Sequence, residues 1–261
     1  IMHKKIAFII VAIVVSGRQA YKSTTFDESP KRVGVISLMG SEIGLYHRGM
    51  TVFGNQVNNV EIEGVDLNDI FQEKIGEALQ YDYEVVDLDF NQEEMFALLT
   101  KDKPASFSSF MFGENKFMYL EEDLKNISSE NDLDAIVLMA PVKAAVQSAD
   151  VPEGVSIYSA GPSGKVSKSW AGVHAILVLI DGSNGREVRS KVLRGEVGFG
   201  GNYFFASPLM DIREYELADV TVREVTEEDK RRMEEIFSAI PEQSMVNRNV
   251  KDLMEGSSLE W

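Results

Sequence analysis

The sequence contains no cysteine and only three histidines among its 261 residues. Without cysteine the chain can form no disulfide, no thiolate zinc site and no cysteine nucleophile. Histidine, a frequent general base, is almost as scarce, because only His47 and His174 follow His3 in the chain. These absences narrow the chemistry open to the protein before any motif is considered.

Positive charge is also scarce, since 26 Lys and Arg residues face 42 Asp and Glu residues and the net charge is −16 at pH 7. Phosphate backbones repel such a chain, so we do not expect nucleic acid as a partner. The hydrophobic share of 44% and the charged share of 26% are typical of a folded globular protein. The simplest interpretation of the acidity is a solvated surface that keeps the protein soluble.

Motifs for catalysis and cofactor binding are missing as well. Residues 159–166 include the Gly-Lys pair of a phosphate-binding loop, but Ser159 replaces the first glycine and Val166 replaces the magnesium-binding Ser or Thr. No Gly-x-Ser-x-Gly elbow accompanies His47 or His174, and no His-Glu-x-x-His spacing is present. We therefore predict no catalytic residue, no cofactor and no metal site from the sequence.

The first 17 residues have the order of a secretory signal peptide. Lys4 and Lys5 precede an unbroken apolar run from Ile6 to Val15, and small residues follow. This run is too short to span a bilayer, which takes about 20 residues. We expect residues 1–17 to be a signal peptide and residues 18–30 a polar tether; an uncleaved anchor and a buried N-terminal strand are the alternatives.

The end of this run resembles the lipobox of bacterial lipoproteins, in which the fourth residue is the cysteine that carries the lipid. Arg18 stands at that place, so we expect a mature protein that begins near Arg18 to Tyr21 and carries no lipid. Contact with a membrane is then expected only through the leader, if it stays uncleaved. The predicted location is the periplasm or the cell envelope.

The stretch from Leu133 to Val142 predicts a buried central strand. Its residues 136–139 are apolar in succession, as expected where helices cover both faces of a sheet. A helix predicted at Tyr119–Ser128 leads into it. Upstream, Lys31–Leu38 is a strand candidate, followed by a turn at 39–41 and a possible return over Glu42–His47. Further short strands are expected at Thr51–Phe53 and Val57–Ile62.

Helical spacing is clearest between Asp66 and Gln80, where Asp66 can act as N-cap. The apolar stripe of this helix consists of Leu67, Ile70, Phe71, Ile75, Ala78 and Leu79. A strand at Tyr83–Leu88 and a short helix at Gln92–Thr100 follow. Because strands and helices alternate, we expect crossover connections and partly parallel pairing.

The C-terminal half predicts a hairpin and two helices. Apolar runs at Trp170–Ile180 and Glu187–Val197 flank the turn sequence Asp-Gly-Ser-Asn-Gly, so an antiparallel hairpin is expected at one side of the sheet. Residues 143–169 look irregular. Thr226, with Asp229 three residues later, predicts a capping box, and a second helix is expected after Pro241. The predicted fold class is α/β with a mixed sheet, as a single domain over residues 31–261.

The succession of these elements resembles the small α/β domain of bacterial envelope proteins. The segments that carry it are residues 32–36, 66–87, 132–138 and 178–188. Such a domain occurs at the N-terminus of the Tol-system propeller protein, in the curli-secretion lipoprotein and in lipoprotein activators of penicillin-binding proteins. The chain also resembles a family of bacterial exported proteins that share Leu-Met-Gly-Ser and Gly-Met-Thr-Val-Phe-Gly-Asn segments. The resemblance implies a fold and an envelope location, and it implies no catalytic residue.

Two aromatic clusters predict either a lid over the core or an interface. The candidate interface residues are Phe107, Phe110, Met111, Phe112, Phe117, Tyr203, Phe204 and Phe205. The functional hypothesis is a non-catalytic envelope protein that binds another envelope protein or associates with itself. The alternative is an exported hydrolase with an unrecognised Ser–His site.

Overall fold

The elements of the fold come from a computed structural model. It describes residues 30–50, 52–62, 66–100, 117–142, 154–162, 166, 168–193, 209–211, 217, 219–240 and 242–256. The strands are β1 Arg32–Ser37, β2 Glu42–Arg48, β3 Gln56–Glu61, β4 Glu84–Val86, β5 Ala135–Pro141, β6 Gly154–Ala160, β7 Lys168–Asp181, β8 Arg186–Val192 and β9 Leu209–Asp211. The α-helices are α1 Leu67–Leu79, α2 Gln92–Thr100, α3 Glu121–Asn131, α4 Glu227–Ala239 and α5 Gln243–Glu255.

The longest strand, β7, joins two halves of one mixed sheet. Its residues 175–181 pair with β5, and its residues 168–174 pair with β6 along the same edge. Its opposite edge pairs with β8 and β9. Beyond β5 lie β1 and β4, which we group with β5, β8 and residues 175–181 as the helix half. Beyond β6 lie β2 and β3, which form the outer half with β6, β9 and residues 168–174.

Strands β1 and β2 run end to end, as do β5 and β6. A Cβ placed on Gly154, the first residue of β6, would lie 3.4 Å from Cβ of Pro141, the last residue of β5. β1 is parallel to β5 and β2 is parallel to β6, while β7 is antiparallel to both lines. The predicted return of Glu42–His47 beside β1 is therefore wrong. Because β2 continues the line of β1, Ile43 and Leu45 lie in the same buried cluster as Val33 and Val35 of β1.

Apolar packing differs between the two faces of the sheet. The first face carries one continuous cluster over both halves, covered by α1, α4 and α5. The second face carries a cluster that draws its strand residues from the helix half alone and is covered by α2 and α3. Helices therefore lie on both faces of the helix half, which explains why every residue of β5 is buried.

Several caps and strand pairings that the sequence predicts are confirmed. Asp66 caps α1 by accepting hydrogen bonds from the backbone N–H groups of Asn68 and Asp69. Thr226 and Asp229 form the predicted capping box of α4. β1 pairs in parallel with β4 and β5, as the alternation of strands and helices predicts. β7 and β8 form the predicted antiparallel hairpin at one side of the sheet, where β8 pairs with β7 alone among the described strands.

Strand β6 lies within a stretch that the sequence pattern predicts to be irregular. It contains Gly154 and the buried serines Ser156 and Ser159, so it shows no alternation of apolar and exposed polar residues. The strand predicted at Thr51–Phe53 is instead a 3-10 turn over Val52–Gly54.

Within the described ranges, no helix is both long and apolar enough to cross a membrane.

Candidate functional site

Most of the predicted aromatic interface lies outside the described residues. This applies to Phe107, Phe110, Met111, Phe112, Tyr203, Phe204 and Phe205. For these seven the interface stays a prediction. Phe117 is described, is 5% exposed and belongs to the second-face cluster with Leu120 and Leu124. Its side chain is therefore part of the core of the chain itself.

The most exposed apolar side chains near the sheet lie at the β2–β3 turn. Phe53 is 96% exposed and Met50 is 82% exposed, and Val57 on β3 is 54% exposed. A Cβ on Gly49 would lie 2.7 Å from backbone atoms of Gly54, so the two ends of the turn are in direct contact. Gly49 and Gly54 thus meet at the base of the turn, while Met50 and Phe53 present their side chains to solvent.

Strand β3 extends this exposed region. Five of its six residues are exposed and the sixth is half-buried. Among the described strands it pairs only with β2, so its other edge offers backbone N–H and C=O groups. Its sequence, Gln-Val-Asn-Asn-Val-Glu, contains neither the lysine nor the proline that often protects such an edge.

A buried Ser–His pair lies on the first face of the outer half. His47 on β2 and Ser159 on β6 are direct neighbours in the register, and His47 Nδ1 lies 2.8 Å from Ser159 Oγ. Ser159 Oγ also forms a short hydrogen bond with Thr221 Oγ1. Ser169 on β7 occupies the next place in the same row. We call these four side chains the Ser–His cluster.

An ion pair holds the segment that brings Thr221 to this cluster. Arg223 donates to both carboxylate oxygens of Asp229 at 2.6 and 2.8 Å and to Asp219 at 2.9 Å. The Arg223 guanidinium, with Thr226, keeps the pKa of the Asp229 carboxyl well below its usual range. Bidentate pairs of this kind fix the relative orientation of the two side chains in addition to their charge attraction. Residues 219–226 are thereby fixed to the start of α4, with Thr221 over Ser159.

The four polar side chains of the Ser–His cluster are buried away from solvent. His47, Ser159, Ser169 and Thr221 are each 0–1% exposed. Burial lowers the pKa of His47, so the ring is neutral at pH 7. Among the described residues, neither its Nε2 nor the Ser169 hydroxyl has a hydrogen-bond partner. A nucleophilic serine needs a histidine that a third group orients and a path for substrate. Neither is present around this pair among the described residues.

His174 lies on the opposite face of the sheet from the Ser–His cluster. It is 2% exposed, and burial lowers the pKa of its imidazole to about 4. It is therefore neutral at pH 7. No group of three or more potential metal-ligating side chains occurs in the described part of the chain. The two histidines do not come together into one site, since they occupy opposite faces.

The turn between β7 and β8 is closed by its own side chains. The carboxylate of Asp181 accepts hydrogen bonds from the backbone N–H of Ser183 at 2.9 Å, from its hydroxyl at 2.7 Å and from Asn184 Nδ2 at 2.7 Å. These hydrogen bonds explain why the sequence Asp-Gly-Ser-Asn-Gly forms a turn.

An open cleft lies beyond the carboxyl end of β1, a place that no sequence pattern indicated. One lobe, of about 490 Å³, lies between the N-termini of α1 and α2. The adjoining lobe, of about 470 Å³, lies between α2 and the β2–β3 pair. Gly40, Ser41 and Phe96 line both lobes.

Gly40 has φ +78°, and a Cβ there would lie 2.9 Å from the Phe96 ring. Glycine therefore allows Phe96 to pack against the backbone at this point.

The topology explains why the cleft forms where it does. From β1 the chain passes through β2 and β3 and then reaches β4 through α1 on the first face, and from β4 it reaches β5 through α2 and α3 on the second face. The connections therefore diverge at the carboxyl end of β1. In open α/β sheets, ligands bind in the crevice at such a switch point.

Comparisons with known proteins identify no family. No protein family matches the chain by sequence, and no curated protein matches it. Among solved structures, the chain is similar to lipoprotein GNA1162 from Neisseria meningitidis. The two share 14% sequence identity, the match covers 62% of this chain and 80% of the lipoprotein chain, and the TM-score is 0.28.

Proposed function

We propose that this protein is an exported envelope protein that acts by binding another protein, through the β2–β3 turn and the free edge of β3. The observation that carries the proposal is the pairing of an unprotected edge strand with an exposed Phe53 and Met50 at its turn. Export is supported by the leader at residues 1–17, and binding is supported by the geometry of the outer half.

The edge of β3 suits a partner that offers an extended segment. A strand added to a free edge gains main-chain hydrogen bonds, while neighbouring side chains supply specificity. Large apolar side chains at the centre of such a contact supply most of the binding energy. Phe53 and Met50 are the described apolar side chains placed to do this next to β3. The proposed partner is therefore a protein segment in the β conformation that carries an apolar pocket or patch.

The test replaces Phe53 with a photo-crosslinking amino acid in cells, identifies the crosslinked protein and measures its affinity. The Phe53→Ser/Met50→Ser double variant should weaken that affinity by about tenfold or more. Tyr81→Ser is the matched control, because Tyr81 is 82% exposed in the α1–β4 turn, away from the outer half. Equal affinity of the double variant and the wild type would contradict the proposal. A crosslink to a second copy, with a smaller size of the double variant in gel filtration, would replace it by self-association.

The hydrogen bond between His47 and Ser159 favours the second candidate, an exported hydrolase. This candidate requires the sealed Ser–His cluster to open to substrate. The test assays wild type, His47→Ala and Ser159→Ala against ester and glycan substrates, with His174→Ala for the other buried histidine. Activity that both Ser–His variants lose while they remain folded would support the hydrolase and count against a purely binding role. Activity absent in the wild type would remove it as a candidate.

A further inference from the structure

We propose that the segment which binds the free edge of β3 is an extended strand with a lysine or arginine four residues from an apolar residue. The basic side chain lies opposite Glu61 and the apolar side chain lies opposite Val57. This inference rests on the proposed function, because it assigns the chemistry of the partner at the same edge. It is carried by the register of β2 and β3 and by the charges on one face of that pair.

Alternate residues of β2 and β3 share the second face of the sheet. The first-face cluster contains Ile43 and Leu45 of β2. Because side chains alternate along a strand, the residues between and beside these two lie on the second face, namely Glu42, Gly44 and Tyr46. Their direct partners on β3 are, in the same order, Glu61, Asn59 and Val57. The three rows therefore run from an acidic pair, through a polar position, to an apolar residue at the free edge.

Two like charges face each other in the first of these rows. Glu42 and Glu61 are direct neighbours in the register, and both are exposed. Like charges directly opposite one another destabilise a pair of strands. Glu42 accepts a hydrogen bond from Asn59 Nδ2 at 2.9 Å, but neither carboxylate forms an ion pair with any residue that the structure describes. A cation on an added strand next to Glu61 would reduce the repulsion between the two carboxylates.

The opposite edge of the sheet shows how such a charge is otherwise compensated. Glu84 on the edge strand β4 forms an ion pair with Arg32 on the neighbouring strand β1, at 2.7 Å. Arg32 and Glu84 are direct partners in their register, as Glu42 and Glu61 are in theirs. At the β3 edge a second carboxylate occupies the place that an arginine occupies at the β4 edge. The compensating charge is therefore left for a partner to supply.

The other end of the face favours an apolar neighbour and disfavours a second cation. Val57 is 54% exposed and lies directly beside the buried Tyr46. Arg48 follows Tyr46 by two residues and is exposed, so it places a positive charge at this end of the same face. A basic residue of the partner is thus attracted at Glu61 and repelled near Val57. This polarity selects one register of the bound strand.

Space for the side chains of a partner is present on this face. Glu42, Val57 and Asn59 line the lobe of about 470 Å³ between α2 and the β2–β3 pair. A strand rises by about 3.3 Å per residue, so residues four positions apart point to one face about 13 Å from each other. The same spacing separates Val57 from Glu61. A partner strand with this spacing therefore makes both contacts at once.

The experiment titrates the full chain with three peptides to millimolar concentration, followed by protein NMR. The first, acetyl-Thr-Lys-Thr-Thr-Thr-Ile-Thr-amide, has the proposed spacing, and the second has Glu in place of Lys. The third, acetyl-Thr-Thr-Lys-Thr-Thr-Ile-Thr-amide, has the composition of the first but carries Lys on the opposite face from Ile. The first should shift the amide signals of Val57, Asn59 and Glu61. We expect it to bind about fivefold more tightly than the second and about threefold more tightly than the third.

Reversal of one charge locates the interaction. Glu61→Lys should reverse the preference, so that the Glu peptide binds about fivefold more tightly than the first peptide. The new side chain would face Glu42, so this variant should melt no lower than the wild type. Glu130→Lys is the matched control, because it makes the same change of charge at an exposed position of α3 and should leave the preference unchanged. If Glu61→Lys fails to fold, Glu61→Gln replaces it and should reduce the preference to about twofold.

The outcomes separate this inference from the proposed function. Tighter binding of the first peptide, reversed by Glu61→Lys but not by Glu130→Lys, supports the inference. Equal binding of all three peptides at the β3 signals, or an unchanged preference in the Glu61 variant, would overturn it and leave the proposed function standing. Absence of any shift at β3 would overturn both the inference and the use of this edge, whereas a crosslink from Phe53 to another protein would then still support binding through the turn.

Discussion

The two halves of the sheet share one face and differ on the other. On the first face, a single apolar cluster runs from the helix half into the outer half. On the second face, the helix half buries Ile36, Ile136 and Leu138 beneath α2 and α3. The outer half instead carries a row of aromatic rings there, with Tyr46 stacked on Tyr158 at a centroid distance of 5.3 Å and Trp170 5.6 Å beyond.

Buried polar side chains also separate the halves. Among the described strand residues, the outer half buries His47, Ser156, Ser159, Ser169 and His174, whereas the helix half buries a single polar side chain, that of Ser37 on β1. Apolar burial stabilises a fold, while a buried hydroxyl or imidazole without a full set of partners opposes it. The helix half therefore supplies most of the stability of the sheet. The outer half, with its exposed turn and edge, is where we expect interaction.

The largest expected effect is in the helix half. Leu138 is 0% exposed on the second face, so Leu138→Ala should lower the free energy of unfolding by about 3 kcal/mol through lost burial and a residual cavity. Urea unfolding followed by circular dichroism measures it. A loss below about 1 kcal/mol would mean that the second-face cluster contributes little, and the contrast between the halves would fail.

A pH effect should separate the halves next. The pKa of His174 is about 4 in the folded protein, below its ordinary value of 6.5, so the unfolded chain binds the proton first as the pH falls. Stability should therefore decrease from pH 6.5 towards pH 4, by about 1.4 kcal/mol per pH unit and about 2 kcal/mol between pH 7 and pH 5. In His174→Gln this contribution should vanish. Identical slopes for the variant and the wild type would contradict the burial of a neutral imidazole.

Two serines on β6 should respond with opposite signs. Ser156 Oγ is buried and has no hydrogen-bond partner in the described part of the chain, so Ser156→Ala should raise the free energy of unfolding by about 1 kcal/mol. Ser159→Ala should lower it by about 1–2 kcal/mol, because His47 Nδ1 and the Thr221 hydroxyl lose a buried partner. Denaturant midpoints of the two variants make the comparison. Changes of the same sign would show that the Ser–His cluster contributes nothing specific.

The smallest effect is expected at the exposed turn. Phe53→Ser/Met50→Ser should change the free energy of unfolding by less than about 0.5 kcal/mol, because both side chains already face solvent. Tyr81→Ser should behave alike. Thermal melts test both. A large loss in the double variant alone would place Phe53 and Met50 among side chains that stabilise the fold.

Elements with local sequence signals were predictable from the residues alone. The unbroken apolar run of β5 predicts its burial, because both faces of that strand meet packed helices. The stripe from Leu67 to Leu79 predicts α1, and Asp181 with its glycine-rich turn predicts the β7–β8 hairpin. Thr226 and Asp229 predict the cap of α4 from their spacing alone. In each case the sequence pattern that makes the prediction lies within one continuous stretch of the chain.

The pairing of distant segments, by contrast, became visible only in the folded chain. Whether β2 turns back beside β1 or continues to β6 depends on long-range pairing, which the spacing of residues 39–47 does not record. The hydrogen bond between His47 and Ser159 joins residues 112 positions apart. Likewise, Asn68 and Gln92 meet at the end of β1 because two crossover helices begin on opposite faces of the sheet. Periodicity reports the faces of one element, whereas a site between elements depends on how the whole chain packs.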